Sequence, residues 1–144
     1  MSGGSRRLRL GPGCENQKEF RMRKQYYFRP SNRGLLAWDV DRLVQLSSNL
    51  ARKHVPLTEI RELDEAWSGD DGPQTWRAMV EHLKLIDVAN LSFPIILSSS
   101  GAVMDGMHRV ARAARQGRTE IEAVQFEEDP EPDHVGRGPS DLPY

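Results

Sequence analysis

The sequence predicts a small α/β (α+β) protein in which short strands alternate with about three helices. Three observations lead there. Apolar residues recur at three- and four-residue spacing over 39–51, 74–88 and 107–116, but as compact or alternating runs over 92–97 and 120–126. Glycine, proline and asparagine or aspartate punctuate the boundaries between these segments. The chain has 144 residues, 38% hydrophobic and 28% charged, which suits one domain with one core.

The elements follow in order. Residues 1–21 hold Gly3, Gly4, Gly11, Pro12 and Gly13 with little apolar content, and are expected to be a disordered basic extension. Met22 stands just before the first structured segment and is an alternative natural start. Gln25–Phe28 reads as a short strand ended by Pro30. Asp39 is a good N-cap for a helix over 39–51, with Val40, Leu43, Val44, Leu46 and Leu50 on one face and Trp38 placed to staple against Leu43. A strand centred on Val55–Leu57 follows, confined to an edge or a strand start by Pro56. Glu59, Glu62, Asp64 and Glu65 then crowd one stretch; such a run is usually a solvated face, but it can also lend one carboxylate to a site. Residues 68–72 are a loop, and Pro73 suits the first turn of a helix over 74–88. Trp76, Met79, Val80, Leu83 and either Ile86 or Asp87 should face the sheet, with His82 beside them. A lone histidine there is usually structural or surface-exposed.

The strand Ser92–Leu97, a hairpin turn at Ser98–Gly101 and a return strand Ala102–Asp105 lead into a helix from Met107 to Gln116. Val110, Ala111, Ala113 and Ala114 should face inward, Arg112 and Arg115 outward, and Gly117 should close the helix as its C′ residue. Glu120–Phe126 alternates like a half-buried strand. The domain is thus expected over 22–127, followed by an acidic, proline-broken tail over 128–144 that lies over the surface.

Charge is distributed unevenly. Residues 1–33 carry nine basic and two acidic side chains, a balance of +7; the remainder carries eleven basic and nineteen acidic, a balance of −8. A basic arm can hold nucleic acid through phosphates, but neither a helix-turn-helix nor an aromatic-rich binding surface accompanies it. No apolar run approaches the ~20 residues that span a bilayer, and no secretion-type segment is recognisable, so a cytoplasmic protein with no membrane partner is expected. The single cysteine, Cys14, excludes an internal disulfide and a multi-cysteine metal site.

The chemistry concentrates in Asp105-Gly106-Met107-His108-Arg109, where a strand becomes a helix. Free N–H groups and the positive end of the helix dipole favour an anion there. Gly106 lets a phosphate approach the backbone, Arg109 can chelate it, and His108 can donate a hydrogen bond or carry a proton. Asp105 would repel a bare phosphate unless it holds Mg²⁺ or takes a proton from an attacking hydroxyl. The competing reading is an ordinary Asp-Gly turn with an exposed His-Arg pair.

Phe93–Phe126 resembles the ParB/sulfiredoxin fold: an apolar PIIL strand, a hairpin, D-G-x-H-R, an alanine-rich helix, a glycine and a strand. That resemblance covers roughly a quarter of the chain clearly, with 39–97 fitting more loosely, and implies a mixed sheet flanked by about three helices. Of the CTP-binding G-E-R-R motif of ParB proteins only Gly106 and Arg109 match, and the residues after Phe126 are too few for their DNA-binding domain. Sulfiredoxins carry G-C-H-R; Met107 replaces the catalytic cysteine, and a thioether cannot form a thiolate. The free-serine kinases of this fold carry D-G-x-H-R, which Asp105, Gly106, His108 and Arg109 match.

The resemblance implies binding of a nucleotide (ADP, ATP or CTP) with Mg²⁺, and phosphoryl transfer to a small hydroxylated substrate. Gly106, Met107, His108 and Arg109 would hold the nucleotide, Asp105 the metal, and Asp105, His108 and Glu62 or Asp64 would serve catalysis. The alternatives are a non-enzymatic, DNA-associated or regulatory protein using the basic arm, and a ParB-like nuclease, for which one Asp and one His are too few to define a two-metal site.

Overall fold

The computed structural model describes residues 24–66 and 75–144. The expected extension over 1–21, Cys14, the loop 68–72 and Pro73 lie outside the described residues. Among the described residues the architecture is mixed α+β, with three helices and two sheets, of three and four strands. The described residues divide into two compact units, one made of 24–42 together with Pro132–Tyr144, the other of those between Leu43 and Glu131.

In the first unit, β1 (Tyr26–Ser31) and β2 (Gly34–Asp39) form an antiparallel hairpin, and β7 (His134–Val135) pairs with β2 on its other side. The sequence suggested one strand ended by Pro30. The strand instead runs through Pro30, because β1 is an edge strand and a missing N–H on its outer side breaks no ladder. Its partner, the run Gly34–Asp39, is a strand the sequence reading does not include; Leu36, Ala37 and Trp38 are its buried members. Trp38 packs against the Tyr27 ring at 5.6 Å, and the Arg29 guanidinium lies 4.8 Å over the indole. Residues 132–144, within the stretch expected to lie over the surface, join the first unit. They supply β7, the buried Leu142 and Asp133, whose carboxylate accepts from the Asp39 N–H at 2.8 Å and pairs with Arg42 at 3.0 Å.

The unit boundary falls inside helix α1 (Val40–Ser47), after Arg42. Asp39 caps α1 as expected, its Oδ1 accepting from the Asp41 N–H at 2.9 Å. The helix stops at Ser47, four residues short of the expected end. The hydroxyls of Ser47 and Ser48 donate to the carbonyls of Val44 and Gln45, and the backbone tightens to three-residue bonds there. Val44 and Leu46, expected to face inward, are exposed; Val40 and Leu43 are buried.

In the second unit the sheet order is β3 (Lys53–Pro56), β6 (Glu120–Gln125), β4 (Ile95–Leu97), β5 (Val103–Asp105). β3 is the edge strand that Pro56 requires. The β6–β4 pair is parallel and its neighbours are antiparallel, so the sheet is mixed. β4 is shorter than expected, beginning at Ile95 after Pro94. The turn at 98–101 is organised by the buried Ser98, whose hydroxyl accepts from the Ala102 N–H at 3.1 Å, and by Gly101 at φ 91°. Helix α3 (Met107–Arg115) packs Val110 and Ala113 into a core with Val55, Leu57, Ile60, Ile95, Leu97, Val103, Ile121 and Ala123. Ala114, expected inside, is exposed. Gly117 ends the helix at φ 75°, as its position predicted.

Helix α2 (Trp76–Asp87) is capped by Thr75, whose hydroxyl accepts from the Ala78 N–H at 3.0 Å. Its orientation corrects the sequence reading. Trp76, Met79, Val80 and Leu83 are exposed, Trp76 at 86%. The inward stripe is instead Ala78, His82 and Ile86, spaced four residues apart; the first two are half-buried and Ile86 is buried. Among the described residues no helix is long and apolar enough to cross a membrane.

Candidate functional site

The site is built around the turn that joins β5 to α3. Gly106 is the N-cap of α3, at φ 113° in the left-handed region that only glycine adopts freely. A Cβ there would lie 2.7 Å from Ile95 Cγ2 and 3.0 Å from the Arg109 guanidinium. Its carbonyl accepts from the N–H groups of Arg109 and Val110 at 2.9 and 3.0 Å. The N–H groups of Met107 and His108 come earlier in the helix and have no acceptor within it. Two donors at the positive end of a nine-residue helix therefore lie beside a residue with no side chain.

Arg109 is not the exposed side chain of the competing Asp-Gly-turn reading. It is 8% exposed, and its guanidinium pairs with Asp105 Oδ2 at 3.1 Å. The two charges offset each other across one helical turn. Arg109 Nε is buried with no hydrogen-bond partner among the described residues. A buried N–H left without an acceptor costs about 1–3 kcal/mol, so an incoming acceptor would gain from it.

Glu62 comes to the site from the 3₁₀ turn Arg61–Asp64. Its Oε2 accepts from the Val103 N–H at 2.9 Å, two residues before Asp105 on β5. Its Oε1 is buried and has no partner among the described residues. The structure thus singles out one of the four carboxylates of 59–65. Asp64, the other candidate in the sequence, is exposed, as are Glu59 and Glu65. The signal that selects Glu62, an N–H on β5 left over for its carboxylate, spans 41 residues and has no local counterpart in the sequence.

His108 is half-buried on the first turn of α3, and its ring meets that of His82 from α2 with centroids 4.8 Å apart. Burial, then the neighbouring His82, then Arg109 push the His108 imidazole below its ordinary value of 6.5, against a smaller opposing pull from Asp105. Burial lowers His82 as well. Both rings therefore favour the neutral form near neutral pH. Met107 is half-buried and packs at the edge of the core.

Among the described residues no three His, Cys, Asp or Glu side chains group as a metal cage. Asp105 can offer a cation its Oδ1, since Oδ2 is engaged with Arg109. That suits Mg²⁺, which commonly takes one or two carboxylates and completes its shell with phosphates and water. Comparison of the chain with protein-family models, with curated protein sequences and with solved structures finds no match.

Proposed function

We propose that this chain binds a nucleotide through its phosphates at the start of α3 and transfers a phosphoryl group to the hydroxyl of a small substrate. The observation that carries the reading is two unsatisfied buried atoms, Arg109 Nε on the glycine-capped helix and Glu62 Oε1 on the turn bonded to Val103, two residues before Asp105. One is a donor without an acceptor and the other an acceptor without a donor. A phosphate oxygen satisfies the first, and a substrate hydroxyl satisfies the second.

In this reading the N–H groups of Met107 and His108 hold phosphate oxygens, with Gly106 permitting the close approach. Arg109 adds donors that its pairing with Asp105 leaves available. Neutral His108 hydrogen-bonds the transferred group. Glu62 accepts the proton of the substrate hydroxyl. The hydroxyl oxygen forms a bond to the terminal phosphorus, the bond from that phosphorus to the bridging oxygen breaks, and the nucleotide leaves one phosphate shorter. Mg²⁺, when bound with the nucleotide beside Asp105, neutralises charge on the phosphates.

The test is incubation with ADP or ATP, Mg²⁺ and serine, followed by detection of AMP or ADP and of the phosphorylated product. Arg109→Lys keeps the charge opposite Asp105 but loses the guanidinium fork, and should weaken nucleotide binding on the order of tenfold or more. Nucleotide binding unchanged in both Arg109→Lys and Arg109→Ala would overturn the phosphate assignment. Turnover unchanged in Glu62→Gln would overturn the role of Glu62.

A further inference from the structure

We propose that His82 is a positioning residue of this site, holding the His108 imidazole in place over the start of α3 from the facing helix. The inference rests on the phosphate-site reading above and adds to it a residue on a separate element.

The geometry of α2 is the argument. Of its apolar side chains only Ile86 is buried, while Trp76, Met79, Val80, Leu83 and Leu85 stay exposed, so burial of Ile86 is a small part of the apolar surface available to seat this helix. What it turns inward is Ala78, His82 and Ile86. His82 is the middle member, and its ring stands 4.8 Å from that of His108 with the planes inclined at 57°. One helical turn further along, Asp87 pairs with Arg115 at 3.2 Å, tying α2 to the far end of α3. The two helices are thus joined by an ion pair at one end of α3 and by the imidazole pair at its start. A half-buried histidine at the centre of an inward stripe loses more hydration than leucine would, which is a poor choice for packing alone.

The consequence for His108 is steric and electrostatic. The His82 ring limits the rotamers of His108 to those that keep its imidazole beside the helix start. It also adds a group whose protonation disfavours that of His108, as does Arg109, while Asp105 pulls weakly the other way. Glu62 on the 3₁₀ turn and the Asp87–Arg115 bridge are further charged groups on the elements packed around α3. His108 is thereby kept as a neutral, oriented hydrogen-bonding group. His82 acts through His108 and needs no contact with substrate.

The experiment is an NMR titration of the histidine rings in the full chain, for the wild type, His82→Ala and His82→Phe, each with and without ADP and Mg²⁺. In the wild type the His108 midpoint should lie below the ordinary 6.5. In His82→Ala it should move up toward that value, and ADP binding should weaken. His82→Phe keeps a ring against His108; it should retain most of the ADP affinity and a lowered midpoint. A His108 midpoint and ADP affinity identical in all three proteins would overturn the proposal, and so would loss of ADP affinity in His82→Phe as severe as in His82→Ala. The ligand-free titration separates this from the broader reading. If the wild type binds no ADP yet its His108 midpoint responds to His82, the phosphate-site reading fails and the coupling of the two rings stands.

Discussion

At the residue scale, Gly106 and Glu62 show two different degrees of legibility. Gly106 can be read locally: Asp-Gly before a helical pattern signals a left-handed turn. What the sequence does not show is how tightly Ile95 closes over it. Gly106→Ala combines an unfavourable φ with a Cβ placed 2.7 Å from Ile95 Cγ2, and should destabilise the fold by about 1–3 kcal/mol in urea titration. Glu62 is one of several carboxylates in sequence and becomes distinct only through Val103. Glu62→Gln can still accept from the Val103 N–H and should stay within about 1 kcal/mol of the wild type, whereas Glu62→Ala strands that donor and should cost about 1–3 kcal/mol. Equal stability losses for the two variants would show that the hydrogen bond is not what holds this turn.

At the scale of elements, helix existence was legible and helix orientation was not. Periodicity and Pro73 locate α2 in the sequence, but periodicity measures amphipathicity and leaves open which surface the helix meets. In α2 Trp76, Met79, Val80 and Leu83 are exposed, and the stripe Ala78, His82 and Ile86 is turned inward. Accordingly Ile86→Ala should cost about 2–5 kcal/mol, while Trp76→Gln, despite removing a larger apolar side chain, should change stability by less than about 0.5 kcal/mol. The same contact gives α2 and α3 a shared response to acid. The folded state holds His82 and His108 below 6.5, so as pH falls through that value the unfolded chain takes up protons that the folded chain resists. Stability should be flat with respect to these two groups above pH 7 and decline below 6.5. Urea midpoints compared across that window, for the wild type and for His108→Gln, should show a shallower decline in the variant; identical slopes would mean that the ring pair does not carry the pH dependence.

For the molecule as a whole, what escaped the sequence is what joins distant segments. The strand pairs β4–β5 and β1–β2 are hairpins, and the first was recognised because its turn and its apolar runs are contiguous. The second was obscured by Pro30, which reads as a strand end unless the strand is known to lie on an edge. The pairing of β2 with β7 has no local signature, since β7 is two residues long in an acidic, proline-containing stretch. Its role follows from what it satisfies. Leu36 and Ala37 pair with Val135 and His134, the Asp133 N–H donates to the Ala37 carbonyl at 2.8 Å, and the Asp133 carboxylate takes the Asp39 N–H at the start of α1. Removing residues 132–144 leaves β2 with one open edge and Asp39 with an unpaired N–H. Amide exchange in the shortened chain should therefore accelerate across Tyr26–Asp39 while the amides of β3, β6, β4 and β5 keep their protection. Unchanged protection of Gly34–Asp39 would show that the hairpin stands without β7; loss of protection in both sheets together would show that the two units unfold as one.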